Sequence, residues 1–218
     1  MTAIVVLGMH RSGTSLVAGI LYRLGINMGT AFRTPDTHNT TGYYEDVDFR
    51  DLNKLIINRA GGRWFNPPNV EDVTEATTIY IPRIKELIST RSGTWGFKDP
   101  RTVFTIHALE PHLPDDTRFI HVFRNPSDIV ASLSKRAKGM GYKRSGKHWY
   151  SITVRYSNRI FDYFRDSVRP ILTVDYGDLV CGRRSYETVQ KIARFCDLDW
   201  LDDGLVQYAV DLITVKYE

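Results

Sequence analysis

The chain has 218 residues, with 29 Lys and Arg against 25 Asp and Glu and a formal net charge of +4. That length suits one domain over residues 1–218, burying roughly 70% of its unfolded surface, and so even a charge balance excludes the broad basic field that nucleic-acid binding requires. No apolar run reaches the roughly 18 residues of a membrane span, residues 1–8 lack the charged start and long apolar core of an export signal, and Cys181 and Cys196 form no CxxC pair, so a cytoplasmic protein with reduced, packed cysteines is expected.

Residues 3–7 form a short, nearly continuous apolar run, as a buried parallel strand requires. Gly8-Met9-His10-Arg11-Ser12-Gly13-Thr14-Ser15 follows, and then Leu16, Val17, Ile20, Leu21 and Leu24 fall three and four apart, the stripe of an amphipathic helix. A strand, a glycine-bounded turn and a helix start aim backbone N–H groups at one spot, which suits a phosphate or sulfate. The Gly-x4-Gly spacing matches the nucleotide P-loop, but Thr14 stands where that motif demands Lys. Arg11 is the cation left in the loop, and a guanidinium reaches two oxygens of an anion at once. The same residues also fit a tight turn carrying a solvated arginine.

Farther along, residues 61–69 (GGRWFNPPN) read as an irregular loop. A second strand over 94–97 runs into Lys98-Asp99-Pro100-Arg101, where Pro100 keeps Asp99 extended. The third strand, 118–123, leads to Arg124-Asn125-Pro126, with Asn125 as a helix N-cap, Pro126 at the first helical position and Asp128 where a capping-box acid belongs. Ile129, Val130, Leu133 and Ala137 continue that helix, and a fourth strand covers 170–175. Strands alternating with helices predict an α/β fold, a three-layer α/β/α sandwich with a mainly parallel sheet, whose ligands bind outside the carboxyl ends of the strands. Function is therefore sought at residues 8–15, 98–101 and 124–132.

Taken together, the HRSGTS stretch and the Arg124-x7-Ser132 spacing resemble the PAPS-dependent sulfotransferase family, PAPS being 3'-phosphoadenosine 5'-phosphosulfate. GYYE at 42–45, FKDPR at 97–101, and YGDL followed by an apolar helix ending at RFCDL extend the likeness to about Leu198. The resemblance implies a P-loop NTPase-like fold that hydrolyses no nucleotide, needs no metal and releases PAP. Carried over, it puts His10, Arg11, Ser12, Gly13, Thr14 and Ser15 around the 5' phosphosulfate, and Arg124 and Ser132 at the 3'-phosphate. The wording of the loop is closer to bacterial and carbohydrate-type members than to the PKSGTTW form. Nothing matches the later RKGxxGDWK-like segment of eukaryotic cytosolic members, for which Gly182-Arg183-Arg184 is only a loose candidate.

Sulfuryl transfer develops negative charge on the leaving bridging oxygen, so fixed cations favour it as they favour phosphoryl transfer. Arg11 and Lys98 are the candidates, against the alternative of a surface Asp99–Arg101 pair with Lys98 solvated. Glu45 resembles the glutamate base of several carbohydrate sulfotransferases; otherwise Glu45 and Asp46 simply begin a helix. His10 is the second candidate base. His38, His107, His112, His121 and His148 show no metal-ligand spacing, so no metal is expected. The basic run at 134–149 reads as a solvated, mobile loop, or as a lid that closes over PAPS or attracts an anionic acceptor; a nucleic-acid patch beside Tyr142, Trp149 and Tyr150 lacks any recognised RNA or DNA module. The acceptor is expected to be a small molecule or carbohydrate. A P-loop kinase of small molecules, or a nucleotide-binding protein of the same fold without turnover, stays open as an alternative.

Overall fold

Four apolar runs pair as a parallel sheet in the computed structural model, which describes residues 1–32, 34, 39, 42–139, 141, 144–198 and 200–217, the last four by backbone alone. His38, and Met140, Tyr142 and Lys143 of the 134–149 run, lie outside the described residues. The strands are β1 (Thr2–Leu7), β2 (Thr94–Lys98), β3 (Thr117–Phe123) and β4 (Ile171–Asp175), in the order β2-β1-β3-β4. Val6 is level with Lys98 on one side and Ile120 on the other, so β1 and β2 end within one residue of each other and β3 runs on to Phe123, two residues past the end of β1.

Alternate residues of β1 serve two cores, because successive strand side chains face opposite ways. Ile4 and Val6 pack with α1 (Thr14–Arg23), α9 (Arg183–Phe195) and α10 (Asp203–Tyr217). Ala3, Val5 and Leu7 face a larger layer built from α2 (Val47–Arg59), α3 (Val70–Thr77), α4 (Ile81–Ser89), α5 (Thr102–Leu109), α6 (Pro126–Gly139) and α7 (Gly146–Asp166). Phe49 of α2 lies flat on Phe97 of β2, ring centroids 3.9 Å apart. A short helix, α8 (Tyr176–Leu179), follows β4 directly. The three-layer sandwich thus forms as its strand and helix pattern predicts. From β1 the chain crosses to β2 on one side and later to β3 on the other, and such a reversal opens a crevice at the strand ends.

Three expectations need correction. The 134–149 run is mostly helix, since α6 extends through Gly139 and α7 restarts at Gly146 after the N-cap Ser145; helical burial of Leu133, Ala137 and Trp149 outweighs the glycines between them. Of the two acids only Asp46 stands at a helix start: α2 begins at Val47, Asp46 caps it by accepting the Asp48 N–H at 2.9 Å, and Glu45 lies before the cap. Cys196 is buried, but Cys181 is exposed and packs in no core. No helix among the described residues is long and apolar enough to cross a membrane.

Asp46 has a second tie. Its other carboxylate oxygen accepts from Arg91 at 2.9 Å, with both side chains almost fully buried. Removing one partner of a buried pair strands the other charge, so Asp46→Ala is expected to lower the unfolding free energy by about 3–5 kcal/mol in urea titration. A loss below about 1 kcal/mol would mean that the pair is solvated in solution.

Candidate active site

The turn after β1 is forced close to its surroundings. Gly13 has φ +104°, a region L side chains avoid, and a Cβ there would stand 2.2 Å from the Tyr176 ring. A Cβ on Gly8 would meet Thr14 at 2.7 Å and Ser12 at 2.8 Å. Gly13 is the N-cap of α1 and offers no side-chain acceptor; its carbonyl takes the Leu16 N–H at 2.9 Å, and the Thr14 and Ser15 N–H groups at the helix start have no capping side chain. Beside them the buried Ser12 hydroxyl has no hydrogen-bond partner among the described residues.

Arg11, itself at φ +71°, turns its side chain across this loop, and its Nε donates to the Ser132 hydroxyl on α6 at 2.9 Å. Arg124, at the end of β3, donates from Nη1 to the Arg11 carbonyl at 2.9 Å and lies over the Tyr176 ring at 4.3 Å. Its Nε is buried and unpartnered among the described residues. Asn125 opens α6 by accepting the Ser127 N–H at 3.0 Å. Residues 113 and 121 positions apart are so brought together at the crevice between β1 and β3. Arg184 is not among them; it pairs with Asp178 at 2.7 Å on the surface.

Lys98, at the end of β2, is 1% exposed rather than solvated. Its Nζ donates to Glu45 Oε1 at 2.8 Å and to the Ser15 hydroxyl of α1 at 3.0 Å. An ammonium taken out of water needs such partners. The neighbouring Asp99 is fully buried and pairs with Arg101 at 2.8 Å, while Asn53 of α2 donates to Asp99 at 3.2 Å and to Thr102 at 2.8 Å. Burial pushes the Asp99 carboxyl above its ordinary range, and the Arg101 guanidinium opposes that shift.

Beyond Glu45 opens a pocket of about 190 Å³. Its inner wall holds His10, Tyr43, Glu45 and Arg101; Trp64, Phe65, Leu133 and Trp149 supply apolar sides, and Arg136 and Arg144 also line it. Trp64 is fixed from behind, because Tyr156 of α7 donates to its carbonyl at 3.1 Å and Arg155 donates to the Pro67 carbonyl at 2.6 Å. His10 packs on Trp64 with centroids 4.6 Å apart, and its buried Nε2 finds no partner among the described residues.

A sequence model described as the sulfotransferase family matches residues 3–202. The chain belongs to the sulfotransferase family. No curated protein matches its sequence. Among solved structures, this sulfotransferase is similar to the sulfotransferase domain of the curacin biosynthetic pathway, at 14% identity and TM-score 0.58 over 94% of this chain and 76% of that one. Sulfotransferase STF9 from Mycobacterium avium matches at 15% identity and TM-score 0.58, covering 99% and 68% of the respective chains. The sulfotransferase domain of the Synechococcus PCC 7002 olefin synthase matches at 18% identity and TM-score 0.54, covering 94% and 75%. At these identities the structures speak for the fold.

In this sulfotransferase the residues singled out in the sequence converge: Arg11, Ser12, Gly13, Arg124 and Ser132 in one cluster, Ser15, Lys98 and Glu45 in the next, and His10 beside them. Sequence reasoning gave Tyr176, Trp64 and Phe65 no role in the site, named Arg101 only as the partner of Asp99, and took Arg136 only as part of the basic run. Two aromatic residues inside a Gly- and Pro-rich loop were the available signal for Trp64 and Phe65, since apolar rings in an irregular loop need something to cover. Burial lowers the His10 pKa well below 6.5, and Arg101, Lys98, Arg136 and Arg11 lower it further. Between that lowered value and 6.5 the unfolded chain binds a proton that the folded chain refuses, so this contribution to stability grows with pH and is lost as pH falls below 6.5. His121, pushed down to about 4 by burial, acts in the same direction. His10→Asn is therefore expected to flatten, without abolishing, the rise of unfolding free energy between about pH 5 and 6.5. An unchanged slope would show that the His10 ring is ordinarily basic.

Proposed function

We propose that this sulfotransferase moves a sulfuryl group from PAPS to a hydroxyl or amine of a small-molecule or carbohydrate acceptor, by in-line displacement. The observation that carries the reading is the buried Lys98 ammonium, held between Ser15 at the start of α1 and Glu45 at the inner end of the pocket. One cation thereby touches both the anion-binding turn and the carboxylate that faces an acceptor. Membership of the sulfotransferase family counts against the kinase alternative.

The donor set fits a nucleotide with two anionic ends. The first-turn N–H groups of α1, the unpartnered Ser12 hydroxyl and Arg11 suit the 5' end, while Arg124, with its orphaned Nε, and Ser132 suit a 3'-phosphate. PAPS supplies the activated sulfuryl group and a leaving phosphate oxygen. In the proposed reaction the acceptor oxygen or nitrogen forms the new bond to sulfur as the bridging S–O bond breaks. Glu45 takes the acceptor's proton, and Lys98 and Arg11 face the charge that grows on the leaving oxygen. His10, neutral and open at Nε2, orients the acceptor.

PAP is expected to bind roughly 10- to 150-fold more tightly than AMP in calorimetry, the worth of a charge-assisted hydrogen bond to the extra phosphate. Arg124→Ala should erase most of that preference while the protein still unfolds cooperatively. Equal affinities of the original protein for PAP and AMP would remove the 3'-phosphate site.

Glu45→Gln keeps a carbonyl oxygen for Lys98 to donate to, so folding and PAP binding are expected to survive. Single-turnover transfer should nevertheless fall about 10²-fold or more, because the amide accepts no proton. Near-normal transfer by Glu45→Gln beside a collapsed rate for His10→Asn would move the base to His10.

A further inference from the structure

The pocket beyond Glu45 carries a chemical description of the acceptor. Its volume, about 190 Å³, is small. A cavity of about 150 Å³ takes up benzene, whereas pockets for drug-sized ligands start near 300 Å³. The space therefore suits one ring with a short substituent.

One side of it is flat and aromatic. Trp64 and Trp149 lie nearly parallel, 10° apart at 5.9 Å between centroids, with Phe65 edge-on to Trp64 at 5.5 Å. Leu133 and Ala137 of α6 line the same space. Aromatic walls of this kind favour a planar ring in stacked or edge-on contact.

The charges lining it are unbalanced. Glu45 is matched by Lys98 and Arg101 by Asp99. Arg136 and Arg144 line the pocket as well, and among the described residues neither has a carboxylate partner. Arg144 is exposed and held in place without being neutralised, its guanidinium over the Phe65 ring at 4.4 Å and 2.9 Å from His148 Nε2. Burial is the main cause of the lowered His10 pKa, and Arg101, Lys98 and Arg136 lower it further.

We infer that the acceptor is a small single-ring aromatic hydroxyl or amine compound carrying an anionic group, its ring among Trp64, Phe65 and Trp149 and its anion at Arg144 and Arg136. The reacting group then points inward to Glu45 and His10. This assignment rests on the pocket being the acceptor side of the proposed sulfuryl transfer, yet it is tested by binding alone.

The probes are 3-(4-hydroxyphenyl)propanoate, its primary amide, and the methyl glycoside of glucuronic acid, which carries an anion on a saturated, hydroxylated ring. Each is titrated calorimetrically with and without PAP, so that failure of PAP to bind sinks the cofactor reading while leaving the pocket's answer legible. The carboxylate is expected to bind about 10-fold or more tightly than the amide, a margin that shrinks as salt is raised. Arg144→Gln should reduce that ratio several-fold with PAP affinity unchanged, and Lys147→Gln, on the exposed start of α7, should leave it alone. Equal binding of carboxylate and amide, no binding of either, an unaltered ratio in Arg144→Gln, or tighter binding of the glucuronide than of the phenol would each overturn the assignment.

Discussion

A lysine ammonium with 1% of its surface exposed, at the end of the edge strand β2, constrains everything around it. Desolvating that charge is unfavourable by several kcal/mol unless opposite charge and hydrogen bonds replace the water. Lys98 finds them in Glu45 and Ser15, which come from the segment before α2 and from the first turn of α1. The next residue, Asp46, meets a second buried cation, Arg91, and caps α2. Two successive carboxylates on two buried cations pin the segment entering α2, and Gly42 at φ +98° and Tyr44 at φ +48° give the backbone the turns it needs to arrive there. The floor of the pocket is therefore a product of charge burial as much as of chain topology.

Topology supplies the other half. Because β1 has β2 on one side and β3 on the other, the turn after β1 lies between Lys98 and Arg124 without any long excursion. Arg11 can then reach Ser132 on α6, while Arg124 braces the Arg11 carbonyl and rests on Tyr176. Close packing of Tyr176 against Gly13 explains why a side chain is not accommodated in that turn.

The sheet was legible because its strands are short apolar runs, and 3–7, 94–97, 118–123 and 170–175 each overlap an observed strand closely, although β4 buries alternate residues only. Asn125-Pro126 announced α6 through capping chemistry, which is local. Burial of Lys98 was not legible, since the sequence around it suits a solvated surface turn equally well, and only the arrival of Glu45 from far away decides the matter. The Asp99–Arg101 pair was legible from its spacing but its burial was not, and Arg136 lines the pocket beside residues from other elements. Glycines at 139, 141 and 146 suggested a loop, but they mark only the break between two helices whose apolar faces are buried.

In the proposed reaction, the shared position of Lys98 also bears on which group takes the proton. A proton on His10 would place a new positive charge, out of water, near Arg11, Lys98, Arg101 and Arg136. The proton on Glu45 instead removes the counter-charge of Lys98, which alone would be as unfavourable. Negative charge, however, appears on the leaving oxygen in the same step that Glu45 loses it. Lys98 then exchanges one anionic partner for another, and its burial is satisfied on both sides of the transfer. The low dielectric that makes the ion pair obligatory in the resting protein thus couples proton uptake by Glu45 to departure of the leaving group, a coupling that His10 has no counter-charge to provide.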